Sequence, residues 1–506
     1  MENMIIGLDL GNYRSFASCV QGMNPDTRLG GRCYDLLPPQ QCAGGGIPST
    51  FFYSRQRGEL VGLDAESQRA RPVSNRVNGL KRRMTRSVTL DGRNIEVDYM
   101  LTKEIENVVT AANREMEAQF HQTTNLIALA VPVNFNHAQC DHYKRIVESV
   151  KVNGVNLEVV GFISESAAAA LDYLSENGGV REEQTVAVLD IGGGTTDVAV
   201  LAVYPQGRLR QNAGPSGTRN RYYYDIIAQN GKELGGFEFT DRLKSIFLQK
   251  MGETPTGAAA DMLDSVVEST KIDLSRLETV EPLLMNRDGE YYDFSIKREE
   301  HEQACEDLMQ EIVDLLRRSL EGRTVDMILL TGGASQMPMV RRSIEREFPD
   351  YANRICFHRP SRAISYGAAR YAVSEDNVQQ RTIWDLGIRY RDPVKKAFYI
   401  DVMIPAGTAL PFSYRNENTA TIAETASTTA EVFEARVADP DEYAIDRDWR
   451  SITQIRLQFG TTVPQGTRVV DELSIDSRNM LKVSSYQADR REETWTEGEL
   501  VYRAVQ

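Results

Sequence analysis

An α/β fold followed by a small all-β domain is what the sequence predicts, and three observations carry that prediction. Two acidic glycine turns, Asp9-Leu10-Gly11-Asn12 and Asp190-Ile191-Gly192-Gly193-Gly194-Thr195-Thr196-Asp197, each follow or end an apolar, β-branched run. From Met1 to about Val373 short β-rich runs alternate with amphipathic helical patterns. Beyond about Trp384 apolar residues recur at every second position, the period of half-buried strands.

In both turns an apolar strand, Met4 to Leu8 and then Thr185 to Leu189, delivers a carboxylate at its end. The glycines let backbone N–H groups approach an anion closely. A second strand follows each turn, Phe16 to Val20 and Val198 to Val203. A strand, phosphate-binding turn, strand unit therefore occurs twice.

Helices come next. Ile105, Val108, Val109, Ala112 and Met116 share one face behind a Thr102 cap; Leu263, Val267, Thr270, Leu274 and Leu277 make another face; Leu308, Ile312, Leu315 and Leu316 make a third before Gly322. Ser164 is placed to N-cap an alanine-rich helix, Ser166 to Leu174, that Glu165 opens. A third glycine turn, Leu329 to Ser335, leaves an apolar strand and enters a helix from Met339, so its backbone amides suit a nucleoside or phosphate. Tight packing explains Gly332-Gly333 equally well, and the same holds for Gly235-Gly236 and Gly367.

The polar stretch Ser374 to Arg381 reads as a linker. The expected organisation is residues 1–373 as a nucleotide-binding domain, 374–383 as a linker and 384–506 as a β-sandwich. In the last, Phe398, Ile400, Val402 and Ile404 alternate with Tyr399, Asp401 and Met403; Phe433, Ala435 and Val437 with Glu434 and Arg436; and Ile455, Leu457 and Phe459 with Arg456 and Gln458. A turn at Asp476 to Asn479 separates two more strands, and no long helix follows.

At 506 residues the chain exceeds what one hydrophobic core usually organises. Its 41% hydrophobic and 26% charged residues are ordinary for a globular protein, and no apolar run is long enough to cross a bilayer. The N-terminus enters a strand without a secretion signal, so a cytoplasmic protein is expected. Cys19, Cys33, Cys42, Cys140, Cys305 and Cys356 form no C-x-x-C pair, which excludes a zinc or disulfide framework as a sequence expectation. The net charge of −14 argues against nucleic acid as a partner. Arg208, Arg210, Arg219 and Arg221, between Pro205 and Arg221, read as a solvated basic loop.

Phosphoryl transfer to water requires a metal-bridged phosphate chain, carboxylates around the metal's water shell and a group that places the attacking water. Asp9, Asp190 and Asp197 are strand-end carboxylates suited to Mg²⁺. The Thr195 hydroxyl suits the terminal phosphate or the nucleophile, and Lys81 supplies a point positive charge. Glu165, at the start of its helix, suits a cleft. A surface position for Lys81 and Glu165 fits the spacing equally well.

In their order, these segments resemble the nucleotide-binding domain of the seventy-kilodalton heat-shock chaperone family. The marks are Gly7 to Gly11, Ile47-Pro48-Ser49, Leu80-Lys81-Arg82, Val131-Pro132 with Phe135-Asn136, Glu165 into Ala167 to Leu171, Asp190 to Asp197, Leu234 to Phe237, Glu268 to Ser275, Gly332-Gly333-Ala334 and Tyr366 to Ala369. Beyond the linker, Leu386-Gly387-Ile388, Ile404 to Pro411 and Asp476 to Ser484 are similar to that family's peptide-binding β-domain.

The resemblance implies an actin-like, two-lobed ATPase domain, a duplicated ribonuclease H-like fold, closing on ATP or ADP with Mg²⁺. It matches Asp9, Asp190 and Asp197 to metal-site aspartates, Lys81 to a phosphate lysine, Glu165 to a water-positioning glutamate and Thr195 to a phosphate threonine. Gly11, Asn12, Tyr13, Gly192, Gly193, Gly194, Gly235, Gly236, Gly332, Gly333 and Ala334 fall on nucleotide-contacting turns. Glu268, Lys271 and Ser275, which share a helix face, match nucleoside contacts. Implied partners are a peptide or client protein, a co-chaperone and an exchange factor; no membrane partner and a monomer are expected.

Several positions depart from the family pattern. Asn12-Tyr13 replaces a threonine pair, and Ile272 and Gln336 replace the two arginines that sandwich adenine, which predicts looser or altered nucleotide affinity. Ser166 and Cys140 replace members of an interlobe relay, Gly161 an arginine of the J-domain contact, and Val378 to Arg381 an aliphatic linker. A lidless member, with faster peptide release, is the corresponding expectation. Three readings follow: a chaperone-type ATPase; a nucleotide-sensing protein-binding module with little hydrolysis; and an actin-like filament former, which the β-domain disfavours.

Overall fold

The apolar runs beside the two acidic turns form the centres of two sheets built alike. In the first, Ile6–Asp9 pairs antiparallel with Arg14–Met23 and parallel with Leu126–Val131, and Glu158–Ser164 and Gly30–Asp35 extend the two sides. In the second, Gln184–Ile191 pairs antiparallel with Thr196–Tyr204 and parallel with Met327–Thr331, which pairs with Ile355–Phe357. The predicted duplication is therefore a duplicated hairpin with a parallel neighbour, and the acidic turn is the hairpin bend in both copies. These strands are buried on both faces, which is why they read as continuous apolar runs.

The computed structural model describes residues 4–23, 30–38, 45–68, 73–132, 135, 137–177, 183–204, 222–285, 290–374, 378–379, 382, 385–392, 394–405, 408, 410–435, 449–476, 480–489 and 496–501. They group into two compact units. One comprises Met1–Asn134, Arg145–Val203 and Ala228–Ser374; the other comprises Phe135–Lys144, Tyr204–Ile227 and Glu375–Gln506. The basic loop 205–221, Cys42, linker residues 375–377, 380–381 and 383, and turn residues 477–479 lie outside the described residues. Within the linker, Val378–Gln379 forms a short strand paired with Tyr222 and Tyr223.

Helices cover the sheets of the first unit. The Glu306–Leu320 and Pro338–Glu347 helices bury Ile312, Leu316, Val340 and Ile344 against Leu189, Val198 and Leu330. The first of the expected helices runs over Val97–Phe120, beginning before the expected Thr102 cap, because Val97, Met100 and Leu101 extend its buried face. Thr102 Oγ1 instead donates to the Asp98 carbonyl at 2.8 Å. Leu277 lies beyond its helix, Ala258–Leu274, and is half exposed. No helix among the described residues is long and apolar enough to cross a membrane.

The last helix of this unit, Ala363–Val373, lies between the first strand and the alanine helix Glu165–Glu176. Contact is so close that a Cβ on Gly367 would come within 1.8 Å of the Ala168 carbonyl oxygen, and one on Gly7 within 2.2 Å of the Ser365 carbonyl oxygen. Gly367 thus serves packing, and the small residues of both helices are what allow the approach. Asp172 cements the contact: its buried carboxylate meets Arg370 Nε at 3.0 Å, His358 Nε2 at 2.7 Å and Arg359 at 3.2 Å.

The second unit contains the predicted β-sandwich. One sheet runs Phe398–Ile404, Asp385–Arg391, Thr425–Ala435, Arg450–Val463; the other runs Phe412–Ala420, Arg468–Ile475, Met480–Gln487, Thr496–Val501. Leu386, Ile388, Met403, Ile404 and Val432 from the first sheet pack with Leu473, Ile475, Leu481 and Val483 from the second. Strict alternation fails in two places. A register shift at Leu386/Gly387 makes Met403 the extra residue, so Met403 and Ile404 are both buried and Phe398 is exposed. In Thr425–Ala435, Ala430, Val432 and Glu434 are buried and Phe433 is only partly so.

Candidate functional site

Asp9 and Asp190 end the central strands of the two sheets, and the duplicated hairpin brings both to one pocket within the first unit. The two turns face each other closely. A Cβ on Gly193 would lie 3.0 Å from Tyr13 Cβ, and one on Gly194 3.0 Å from Asn12 Nδ2. The first turn is pinned from outside: Ser49 N donates to the Tyr13 carbonyl at 2.9 Å and Gly79 N to the Asn12 carbonyl at 3.1 Å.

Lys81 and Glu165 enter the pocket from opposite walls. Lys81 sits in the short 3₁₀ turn Leu80–Arg83, set up by Gly79 at φ 66°. Glu165 is the first residue of the alanine helix, where Ser164 Oγ accepts from Ala167 N at 3.2 Å as the expected N-cap. Lys81 Nζ donates to Glu165 Oε1 at 2.6 Å, both side chains being buried. A surface position for the two is thereby excluded.

Crowded carboxylates set the electrostatics. Burial pushes the Asp9 carboxyl up to about 7, with Glu165 adding to the effect and Lys81 opposing it. Asp190 is held well above the ordinary carboxylate range by burial first, then by Glu165, Asp197 and Asp9. Burial works against the Lys81 charge, but Glu165 and Asp9 outweigh it and raise its pKa. Asp190 Oδ1 and Asn12 Oδ1 are buried and accept no hydrogen bond among the described residues. Such a site has an excess of negative charge and unused acceptors, which fits a divalent cation. No group of three or more His, Cys, Asp or Glu side chains among the described residues is arranged to hold an ion alone.

Asp197 is the register partner of Asp190 on the neighbouring strand, buried behind the pocket wall. Gly192, Gly193 and Thr195 line the pocket, and Gly194 and Gly235 support it. A Cβ on Gly235 would come within 2.8 Å of the Gly192 carbonyl oxygen, and Gly236 N donates to that carbonyl at 2.9 Å. Gly332, at φ 81°, packs directly on the second turn, for a Cβ there would approach Asp190 Oδ1 to 2.3 Å. Gly333 and Ala334 also line the pocket.

At the far wall Lys271 Nζ donates to Glu268 Oε2 at 2.8 Å, Thr240 Oγ1 at 2.7 Å and the Gly236 carbonyl at 2.9 Å. Glu268, Lys271 and Ser275, the last capping the Ala258–Leu274 helix, are brought together as expected. Ile272 and Gln336 line the same pocket. Sequence reasoning missed Arg14, Phe237, Arg276, Pro360 and Ser361, which also line it. Arg276 adjoined the predicted helix face, whereas Pro360 and Ser361 lie in a connection without a glycine signature.

Comparison with known proteins follows the same outline. The family model described as Hsp70 protein matches residues 5–499. Two relatives, each called chaperone protein HscA homolog and coming from Actinobacillus pleuropneumoniae serotype 5b (strain L20) and serotype 3 (strain JL03), are 24% identical over 374 residues. The alignment covers 69% of this chain and 54% of each relative, so the chain spans about half the length of the curated relatives it matches. With the family match running over nearly all of it and the duplicated hairpins meeting at one pocket, the chain belongs to the Hsp70 family.

Proposed function

We propose that this chain is a chaperone-type ATPase: it binds and hydrolyses ATP in the pocket between the two duplicated hairpins and binds a peptide or dedicated client protein through its β-sandwich. The observation that carries this reading is the convergence of both acidic glycine turns on the buried Lys81–Glu165 pair. Backbone amides of Gly11, Asn12, Tyr13, Gly192, Gly193 and Gly194 cradle the phosphates, and Thr195 contacts the terminal one. Glu268, Lys271, Ser275 and the Gly332–Ala334 turn take the nucleoside end.

Asp9 and Asp190 would hold Mg²⁺, largely through its waters because that ion dehydrates reluctantly, and Asp197, which does not line the pocket, would act on it only from behind Asp190. Bound there, the ion neutralises charge on the phosphate oxygens. Glu165 accepts a hydrogen bond from the attacking water and orients it. Lys81, held against Glu165 in the resting site, turns its charge to the transferring phosphoryl group. A cytoplasmic location and a linker near residues 374–383 belong to the same proposal.

Steady-state turnover of purified protein with Mg²⁺ and ATP tests the reading, with the Lys81→Ala variant as control. Turnover that the variant abolishes supports it. Equal phosphate release from both proteins, or none from either with a J-domain co-chaperone added, sinks it.

A further inference from the structure

Behind the first phosphate turn runs a hydrogen-bond chain that the proposed chemistry does not use. Glu104, in the middle of the Val97–Phe120 helix, is 3% exposed, and its Oε1 lies 2.8 Å from Ser15 Oγ. Ser15 Oγ lies 3.0 Å from Ser49 Oγ, either atom being able to donate, and Ser49 Oγ donates to the Gly11 carbonyl at 2.6 Å. Ser15 and Ser49 are themselves fully buried. The chain therefore links a buried carboxyl to the backbone of the turn that follows Asp9.

Counting hydrogens decides its direction. Three contacts need three hydrogens, and the two serine hydroxyls supply two. With Glu104 ionised, Ser15 donates to Glu104 and the single Ser49 hydrogen is divided between Ser15 and the Gly11 carbonyl, so one contact of the chain always lacks a hydrogen. With Glu104 protonated, the acid donates to Ser15, Ser15 to Ser49 and Ser49 to Gly11, and every contact is a hydrogen bond. Leaving one contact of this buried hydroxyl and carboxyl chain without a hydrogen is costly, so the geometry favours the protonated chain.

We propose that Glu104 is a positioning residue that keeps a proton and thereby directs the Ser15–Ser49 chain onto the Gly11 carbonyl, fixing the first phosphate turn for ATP. Burial independently pushes this carboxyl up to about 7, against the hydrogen bonds from Ser15 and Ser49 and the attraction of Lys81. Other charged groups on the surrounding elements are engaged elsewhere or exposed: Arg14 with Glu66, Glu59 with Arg93, and Lys151 at the surface. The effect on ATP rests on the proposed nucleotide site; the proton itself does not.

Two measurements separate these. Infrared difference spectra of the nucleotide-free protein at about pH 6 and about pH 8.5, compared between wild type and Glu104→Gln, should show a protonated-carboxyl C=O band lost in the variant. Identical spectra overturn the proposal, whether or not ATP binds. In calorimetry, Glu104→Gln, whose amide N–H replaces the acid proton, should bind ATP as wild type does near pH 6 and lack the roughly tenfold alkaline weakening expected of wild type. Glu104→Ala should bind weakly at both pH values. Parallel pH profiles for wild type and Glu104→Gln overturn the positioning role. A wild type that binds no ATP overturns the proposed function, while the infrared result still decides the proton.

Discussion

Lys81 Nζ and Glu165 Oε1 lie 2.6 Å apart in a buried ion pair, although 84 residues separate them. One comes from a tight turn beside the first hairpin and the other from a helix start, so the pair exists only once both walls of the pocket are in place. Its two members have different roles in the proposed reaction, and substitution separates them.

Glu165→Gln is expected to keep ATP binding and lower turnover by about 10²–10⁴-fold, the usual worth of a positioned acid–base group. Lys81→Ala is expected to abolish turnover and also to destabilise the protein by about 3–5 kcal/mol, because it leaves the Glu165 carboxylate buried without its cation. Phosphate release and calorimetry on the same samples distinguish the two patterns.

Buried protons give the nucleotide-free protein a defined pH response. Asp9 has its pKa raised from 3.8 to about 7, so between those values the folded state binds more protons than the unfolded one. This contribution to stability is therefore present at low pH and is lost as pH rises toward 7. Asp9→Asn is expected to flatten that part of the profile of unfolding free energy against pH. Mg²⁺ with ATP, which needs the ionised carboxylate, is expected to stabilise wild type increasingly as pH rises, and thermal melts with and without ligand read both effects.

Ile272 and Gln336 line the pocket proposed to take the nucleotide. Ile272→Arg and Gln336→Arg are each expected to tighten ATP binding by about 0.5–2 kcal/mol, the range for a cation over an aromatic face. Calorimetry with ATP and with inorganic triphosphate isolates the base contribution, and an equal gain for both ligands would assign it to phosphate attraction instead.

Asp172 is fully buried among Arg370, His358 and Arg359. Asp172→Ala is expected to cost about 3–5 kcal/mol, because the buried Arg370 then keeps only the partly exposed Glu176 carboxylate as its counter-charge and its Nε loses its acceptor, and the double variant Asp172→Ala with Arg370→Met is expected to recover part of that loss. Denaturant unfolding followed by two probes checks the coupling.

Much of this was legible because local patterns report local physics. Asp9 and Asp190 stood out as carboxylates at the ends of apolar strands, Ser164 as a cap, and the second-period patterns as a sandwich. The Thr102 cap was misplaced because buried residues before it, not the hydroxyl, set the helix start. Phe398 lost its expected burial because the extra residue Met403 shifts the register, and alternation alone carries no record of a bulge. The chain Glu104, Ser15, Ser49 left no trace, since a serine hydroxyl's partner is chosen by distance in space.

What the sequence determined by itself is therefore periodic or covalent: the paired strand and turn units, the helices' apolar faces, the change to β-structure past the polar stretch, and the family those motifs mark. Only the tertiary structure decided which groups meet. It closed Lys81 onto Glu165, set Gly332 against Asp190 and buried Glu104 beside two hydroxyls. The physical reason is range: backbone propensity and hydrophobic period act over a few residues, whereas ion pairing, desolvation and hydrogen-bond direction depend on atoms that the chain brings together from far along its length.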